Sequence, residues 1–256
     1  MSDAAVTHKR IERPADGRGS RIVVVDTVRG LAIAGVVVFH VVWDLDFTGM
    51  IGPGIAGHWI WILFGRILAG TFMFLVGISL VLGHSDQVRW RPFLRRTLIV
   101  AAAALLISIV TWFVFPQSFA YFGILHAIVI ASFVGIPFLR SPPALTTGCA
   151  VLLLLLPVAI TFSELNSRWL AWIGLSERPP SSIDFVPVMP WVGLTLLGIA
   201  VARIAQSISL DEWLRARQSK SRGFRVIRSL GRNSLLIYLL HQPILFGALT
   251  LIAEGI

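Results

Sequence analysis

A 256-residue chain that is 56% hydrophobic and only 14% charged falls far below the roughly one-quarter charged residues of soluble domains, which excludes an ordinary soluble globule and marks an integral membrane protein. Its formal charge of +9 comes from 22 Lys and Arg against 13 Asp and Glu, and the cations cluster in short segments between apolar runs, a pattern of membrane orientation and not of nucleic-acid binding. The single cysteine, Cys149, excludes a fold held by an internal disulfide.

Residues 1–21 are polar and basic, with Lys9, Arg10, Arg13, Arg18 and Arg21 and no apolar segment followed by a small-residue cleavage site. They read as a disordered cytoplasmic arm and not as a cleaved signal peptide. Residues 22–256 then read as a single transmembrane domain. Apolar runs near 22–43, 58–83, 97–115, 119–139, 144–163, 186–206 and 234–253 approach the roughly 20 residues that a bilayer span requires. The expected fold class is therefore all-α, a polytopic transmembrane helical bundle of about seven spans. Its loops alternate in charge: the basic arm, then Asp44 and Asp46, then Arg89, Arg91, Arg95 and Arg96, then the uncharged Phe115-Pro116-Gln117, then Arg140. A mixed loop 164–185, an arginine-rich stretch 211–232 and a tail with Glu254 complete the series. Cationic loops mark the cytoplasmic side, so the expected topology is N-inside and C-outside, in a bacterial inner membrane.

The first run carries polar residues at membrane depth: Asp26, Arg29, His40 and Asp44. Eleven helical residues turn about 1100°, so Arg29 and His40 share a face and lie about 16 Å apart. Intramembrane ionisable residues are costly and tend to face a bundle interior, where they do chemistry or transport. Asp44, one turn beyond His40, is placed to accept an Nδ1 proton and leave Nε2 free as a base. Asp26 and Arg29, three apart, can equally form an intrahelical ion pair.

Arg66 in the second run is too deep for easy snorkelling and needs an acid, a carbonyl dipole or a substrate anion. His126, in the fourth run, shares its depth with His40 and Arg66, whereas Arg203 lies with Asp26 and Arg29 near the inner face. His241 follows Tyr238 by three and precedes Gln242-Pro243, where a proline-freed carbonyl can bind its ring. Gly65, Gly70 and Gly77 fit close helix packing. The 164–185 loop, with Glu164, Arg168, Glu177, Arg178 and Asp184, is either a cap over a substrate entrance or a solvated connection. The 211–232 arginines are either a lipid-facing topogenic patch or a dock for an anionic donor. No metal site is expected, because the histidines sit on different runs without His-x3-His or Glu-x-x-His spacing.

Three stretches carry a resemblance. They are Val25-Asp26-Thr27-Val28-Arg29-Gly30 through Phe39-His40, Gly65-Arg66 with Phe72 through Gly77, and Leu230-Gly231-Arg232-Asn233-Ser234 through Tyr238 and His241-Gln242-Pro243, reinforced by Gly123-Ile124-Leu125-His126. In this ordered set the chain resembles the membrane acyltransferases grouped around the catalytic domain of heparan-α-glucosaminide N-acetyltransferase, and more distantly the acyltransferase-3 family. The resemblance implies passage of an acyl group, acetyl in the first instance, from cytoplasmic acyl-CoA to an amine or hydroxyl of an extracytoplasmic sugar or glycoconjugate acceptor.

On that reading the catalytic set is His40, Asp44, Arg66 and His126, and the donor-binding set is Asp26, Arg29, Arg203 and His241. Acetyl-CoA would be a donor substrate and no cofactor would be held permanently. The expected partners are membrane lipid, acyl-CoA and the acceptor, with no nucleic acid; whether the chain forms a homo-oligomer stays open. Two other classes fit the same residues: a proton-coupled or small-solute transporter, and a non-catalytic membrane scaffold.

Overall fold

The computed structural model describes residues 22–84, 87–210, 213–214, 222–253 and 255. The basic arm 1–21 lies outside them, as do Asp211, Glu212, Arg215, Arg217 and Lys220 of the arginine-rich stretch and Glu254 of the tail. The helices, in chain order, are α1 (Val23–Phe47), α2 (Trp59–Gly83), α3 (Trp90–Val114), α4 (Ile124–Phe138), α5 (Pro143–Ala159), α6 (Val188–Ser207), α7 (Arg222–Arg232) and α8 (Ser234–Ala253). Five of them, α1, α2, α3, α6 and α8, are long and apolar enough to cross a membrane.

The apolar runs at 119–139 and 144–163 yield shorter helices, α4 with 15 residues and α5 with 17. The difference from expectation has a local cause. Residues 119–123 and 160–163 fall within those runs but are not α-helical, because their backbone groups bond outside a helix. Val186 N–H donates to the Phe122 carbonyl at 3.0 Å, and Phe162 N–H to the Leu175 carbonyl at 2.8 Å. Hydropathy counts apolar side chains and does not register where backbone hydrogen bonds go.

Local chemistry also sets the α1–α2 turn. The Thr48 hydroxyl donates to the Asp44 carbonyl at 2.8 Å, Gly49 follows at φ 72°, and this left-handed glycine ends the helix. Asp46 then accepts from the N–H groups of Gly54 and Ala56 at 2.9 and 3.0 Å, folding the loop back so that α2 returns antiparallel to α1. The pairing is visible along both helices. Phe39 fills the space beside Gly65, Leu68 that beside Gly35, and Arg29 Nη2 donates to Ser79 Oγ at 2.8 Å.

α6 is central, packing against α2, α4 and α5, while α1 packs against α2, α7 and α8. Met73, Val192, Leu196 and Ile199 have no exposed surface and form the heart of the packing. Two helix crossings are closed by glycine. A Cβ on Gly77 would collide with the Thr195 carbonyl, and one on Gly198 with the Phe74 carbonyl, while Thr195 Oγ1 donates to the Met73 carbonyl at 2.9 Å. The α1–α7 crossing repeats the device, with Gly30 against the Ile227 carbonyl and Gly231 against that of Asp26. Lipid gives helices little hydrophobic reason to associate, so such backbone-close contacts carry much of the specificity.

Replacing Gly77 with Val should therefore cost about 1–3 kcal/mol or more, since a backbone carbonyl cannot rotate aside as a side chain can. A Cβ at Gly148 meets nothing within 4 Å, so Gly148→Ala should be silent. Thermal melting of the detergent-solubilised protein checks the pair, and equal midpoints for both variants would contradict the close crossing.

Candidate functional site

The main cavity, about 1290 Å³, runs along the inside of α1 and α2. At one end its wall holds Asp26, Arg29, Ser79, Arg91, Arg95, Arg96 and Arg232. These residues meet because α1 and α3 begin there and α2 and α7 end there. At the other end the wall holds Ile62, Arg66, His40 and Asp184. Between the two lies an apolar stretch with Ile33, Leu68, Phe72, Leu125, Ile128 and Trp191. The α1 backbone separates Arg29 from His40 by about 16 Å of helical rise.

The first end is strongly cationic. Asp26 is nearly buried, at 6% exposure, and its carboxylate lies 3.5 Å from Arg29 Nη1 and 3.4 Å from Arg232 Nε. It ties α1 to the end of α7, a structural tether between helices. One carboxylate facing Arg29, Arg91, Arg95, Arg96 and Arg232 leaves an excess of positive charge, which suits a polyanion, guanidinium groups being fitted to bidentate phosphate contact.

At the second end His40 packs its ring 4.8 Å from that of His241, centroid to centroid, and edge-on to Phe39. His40 lines the cavity, but its Nδ1 is buried without a hydrogen-bond partner among the described residues. The expected His40–Asp44 pair is not formed. Asp44 is fully buried and accepts instead from Gln242 Nε2 at 2.8 Å. An i,i+4 neighbour on the same helix shares the face, but the α8 amide reaches the carboxylate first. His241 also departs from its expected place. It sits behind His40 and not with Asp26 and Arg29, and its Nδ1 lies 3.1 and 2.9 Å from the Ile237 and Tyr238 carbonyls of its own helix. That contact assigns the proton to Nδ1 and leaves His241 Nε2 as a buried acceptor, again unpartnered among the described residues.

Two further expected residues lie outside the cavity wall. His126 Nδ1 accepts the Gly123 N–H at 3.2 Å, and its Nε2 lies 3.4 Å from Ser108 Oγ, so the ring caps the start of α4. Arg203 Nη1 donates to the Leu139 and Ser141 carbonyls at 2.7 and 2.9 Å, satisfying acceptors just past the end of α4. The cavity thus gathers Asp26, Arg29, His40 and Arg66; His241 and Asp44 stand behind His40; His126 and Arg203 serve helix ends.

Sequence reasoning left Asp184 among the charges of a loop. Residues 183–186 in fact run beside 118–122, with the Ile183 N–H on the Ser118 carbonyl at 2.8 Å and the Val186 N–H on that of Phe122. This strap holds the Asp184 side chain in the cavity wall, where Oδ2 accepts from the Ile124 N–H and the Tyr238 hydroxyl, both at 3.1 Å. Gly123 is required beside it, since a Cβ there would collide with the carboxylate. Burial raises the Asp184 carboxyl above the usual carboxylate range, and the two hydrogen bonds only partly oppose it. The one local signal was an acid three residues before the Pro187-Val188-Met189-Pro190 helix entry.

No match was found among curated proteins or among solved structures. A family model described as "Heparan-alpha-glucosaminide N-acetyltransferase, catalytic" matches residues 21–243. That span takes in both ends of the cavity, from the first turn of α1 to the Gln242 contact on α8. With its long apolar helices the chain is an integral membrane protein of the acyltransferase class, and it belongs to the heparan-alpha-glucosaminide N-acetyltransferase catalytic-domain family.

Proposed function

We propose that the chain transfers an acyl group, acetyl in the first instance, from acyl-CoA at the arginine-rich end of the cavity to an amine or hydroxyl of a sugar acceptor at the His40 end. The observation that carries this reading is the continuity of one cavity from Arg29, Arg91, Arg95, Arg96 and Arg232 to His40 and Arg66. A nucleotide-bearing thioester has matching parts: phosphates for the guanidinium groups, a long flexible arm for the apolar stretch, and a reactive carbonyl at the far end. A volume of about 1290 Å³ exceeds the roughly 300–1,000 Å³ typical for a drug-sized ligand, leaving room for donor and acceptor together. The charge alternation of the loops supports seven crossings, an inner-membrane setting and the arginine-rich end on the cytoplasmic side.

In the reaction His40 takes the proton of the attacking amine or hydroxyl as the new bond to the acyl carbon forms. The carbon–sulfur bond then breaks, and the imidazolium returns that proton to the departing thiolate sulfur. Arg66 makes no hydrogen bond or ion pair among the described residues and is exposed, so its guanidinium is available to stabilise the oxyanion that develops on the thioester carbonyl. Asp26 and Arg29, already joined, shape the phosphate end.

Purified protein should bind acetyl-CoA saturably, and Arg29→Ala should weaken that binding roughly tenfold or more, the worth of a charge-assisted contact. Absence of saturable acetyl-CoA binding to the wild-type protein would overturn the reading in favour of a transporter, which flux into proteoliposomes without donor would then reveal.

A further inference from the structure

Asp184 has one oxygen committed and one uncommitted. Oδ2 accepts from the Ile124 N–H and the Tyr238 hydroxyl, while no donor to Oδ1 is present among the described residues and the side chain forms part of the cavity wall. Nor does any cation lie within ion-pair distance of this carboxylate among the described residues. Arg66 shares the cavity but forms no ion pair with it. The other carboxylate in the wall, Asp26, is in contrast held between Arg29 and Arg232.

Capping of α4 accounts for Oδ2 and for the nearby helix dipole. It does not account for a carboxyl group where a serine, threonine or asparagine would cap as well. Asp184 is half-buried; a carboxylate partly withdrawn from water without a cationic partner is destabilised as the anion, and a ligand that supplies the missing positive charge recovers that cost on binding.

We infer that Asp184 is the specificity-determining residue of the acceptor site, its free carboxylate oxygen receiving the ammonium group of an amine acceptor while Tyr238 fixes the other oxygen. This rests on the acyl-transfer reading for its biological sense, but not for its test. A site built to bond a particular polar group rejects the analogue that lacks it far more strongly than an apolar pocket distinguishes shapes. Amine acceptors are therefore preferred over their hydroxyl counterparts.

The binding step precedes chemistry and leaves the proton count simple. The bound ammonium passes one proton to Asp184, the neutral nitrogen attacks the acyl carbon, and His40 carries the second proton to the thiolate. The Asp184 proton is the one released to solvent for each amide formed.

Glucosamine and glucose, which differ at one substituent, are suitable probes, measured by calorimetry on the full chain in detergent without donor. The wild type should bind glucosamine at least roughly tenfold more tightly than glucose, the range of a hydrogen bond to a charged group. Asp184→Asn, whose amide oxygen still accepts from Ile124 and Tyr238, should abolish the preference while keeping the melting midpoint and the acetyl-CoA affinity.

Tyr238→Phe keeps the charge and should keep the preference, and it serves as the folding control if the asparagine variant is unstable. A preference that survives in Asp184→Asn, that is lost in Tyr238→Phe despite intact folding, or that is absent from the wild type overturns the assignment. Loss of acetyl-CoA binding in the wild type with the glucosamine preference intact would instead defeat the acyl-transfer reading and leave the amine site standing.

Discussion

Replacing His40 with alanine should abolish acyl transfer while leaving a folded protein that still binds acetyl-CoA. Three features of the site lead to that expectation. His40 is a histidine in the cavity wall at the end opposite the arginines. Its ring is positioned by the His241 ring at 4.8 Å and by the edge of Phe39, and it makes no side-chain hydrogen bond among the described residues on which folding depends. General-base catalysis contributes about 10²–10⁴-fold in rate, so a loss on that scale is expected in the turnover of acetyl-CoA with an amine acceptor. The donor contacts lie about 16 Å away along α1, so acetyl-CoA affinity should change little. A variant that retains activity within about tenfold of the wild type would fall below the range expected for such a base and would remove His40 from the mechanism. A variant that loses acetyl-CoA binding as well would show that the two ends of the cavity are not separable.

The parts of this arrangement that were legible in the sequence are those fixed by short-range geometry. The eleven-residue step from Arg29 to His40 needs only the helical period, and both residues line the one cavity. The glycine at position 77 was readable as a packing site because small residues in an apolar helix have few other uses. What stayed hidden is carried by contacts across long sequence separations. Asp44 and Gln242 are 198 residues apart, and Asp184 and Tyr238 are 54 apart. Nothing in the α1 pattern distinguishes a carboxylate aimed at the histidine one turn back from one aimed at another helix. His126 is a different case, because its partner Gly123 is only three residues away. A capping side chain at the third helical position was within reach of local reasoning, but the helix start had to be placed at Ile124 first, and the apolar run blurred it by five residues.

The Asp44–Gln242 contact carries the second large effect. Asp44 is wholly buried, and the amide of Gln242 is its one side-chain partner among the described residues at 2.8 Å. Removing either group strands the other in an apolar interior, at a cost of about 1–3 kcal/mol, and more where the stranded group is charged. Asp44→Leu and Gln242→Leu should therefore each lower the melting midpoint markedly. Replacing both removes the stranded partner along with the bond, and a matched apolar pair can be nearly neutral in such a setting, so the double variant should melt close to the wild type. Thermal melting of the four proteins forms a double-mutant cycle whose coupling term is the quantity of interest. Losses that simply add would show that Asp44 and Gln242 do not depend on one another. The same four proteins separate stability from chemistry. The contact joins α1 to α8 one turn beyond His40 and one residue beyond His241, so it fixes how the two imidazoles face each other. A double variant that recovers its melting midpoint but not its rate of acyl transfer would assign the pair to positioning His40, and recovery of both would confine it to holding the helices together.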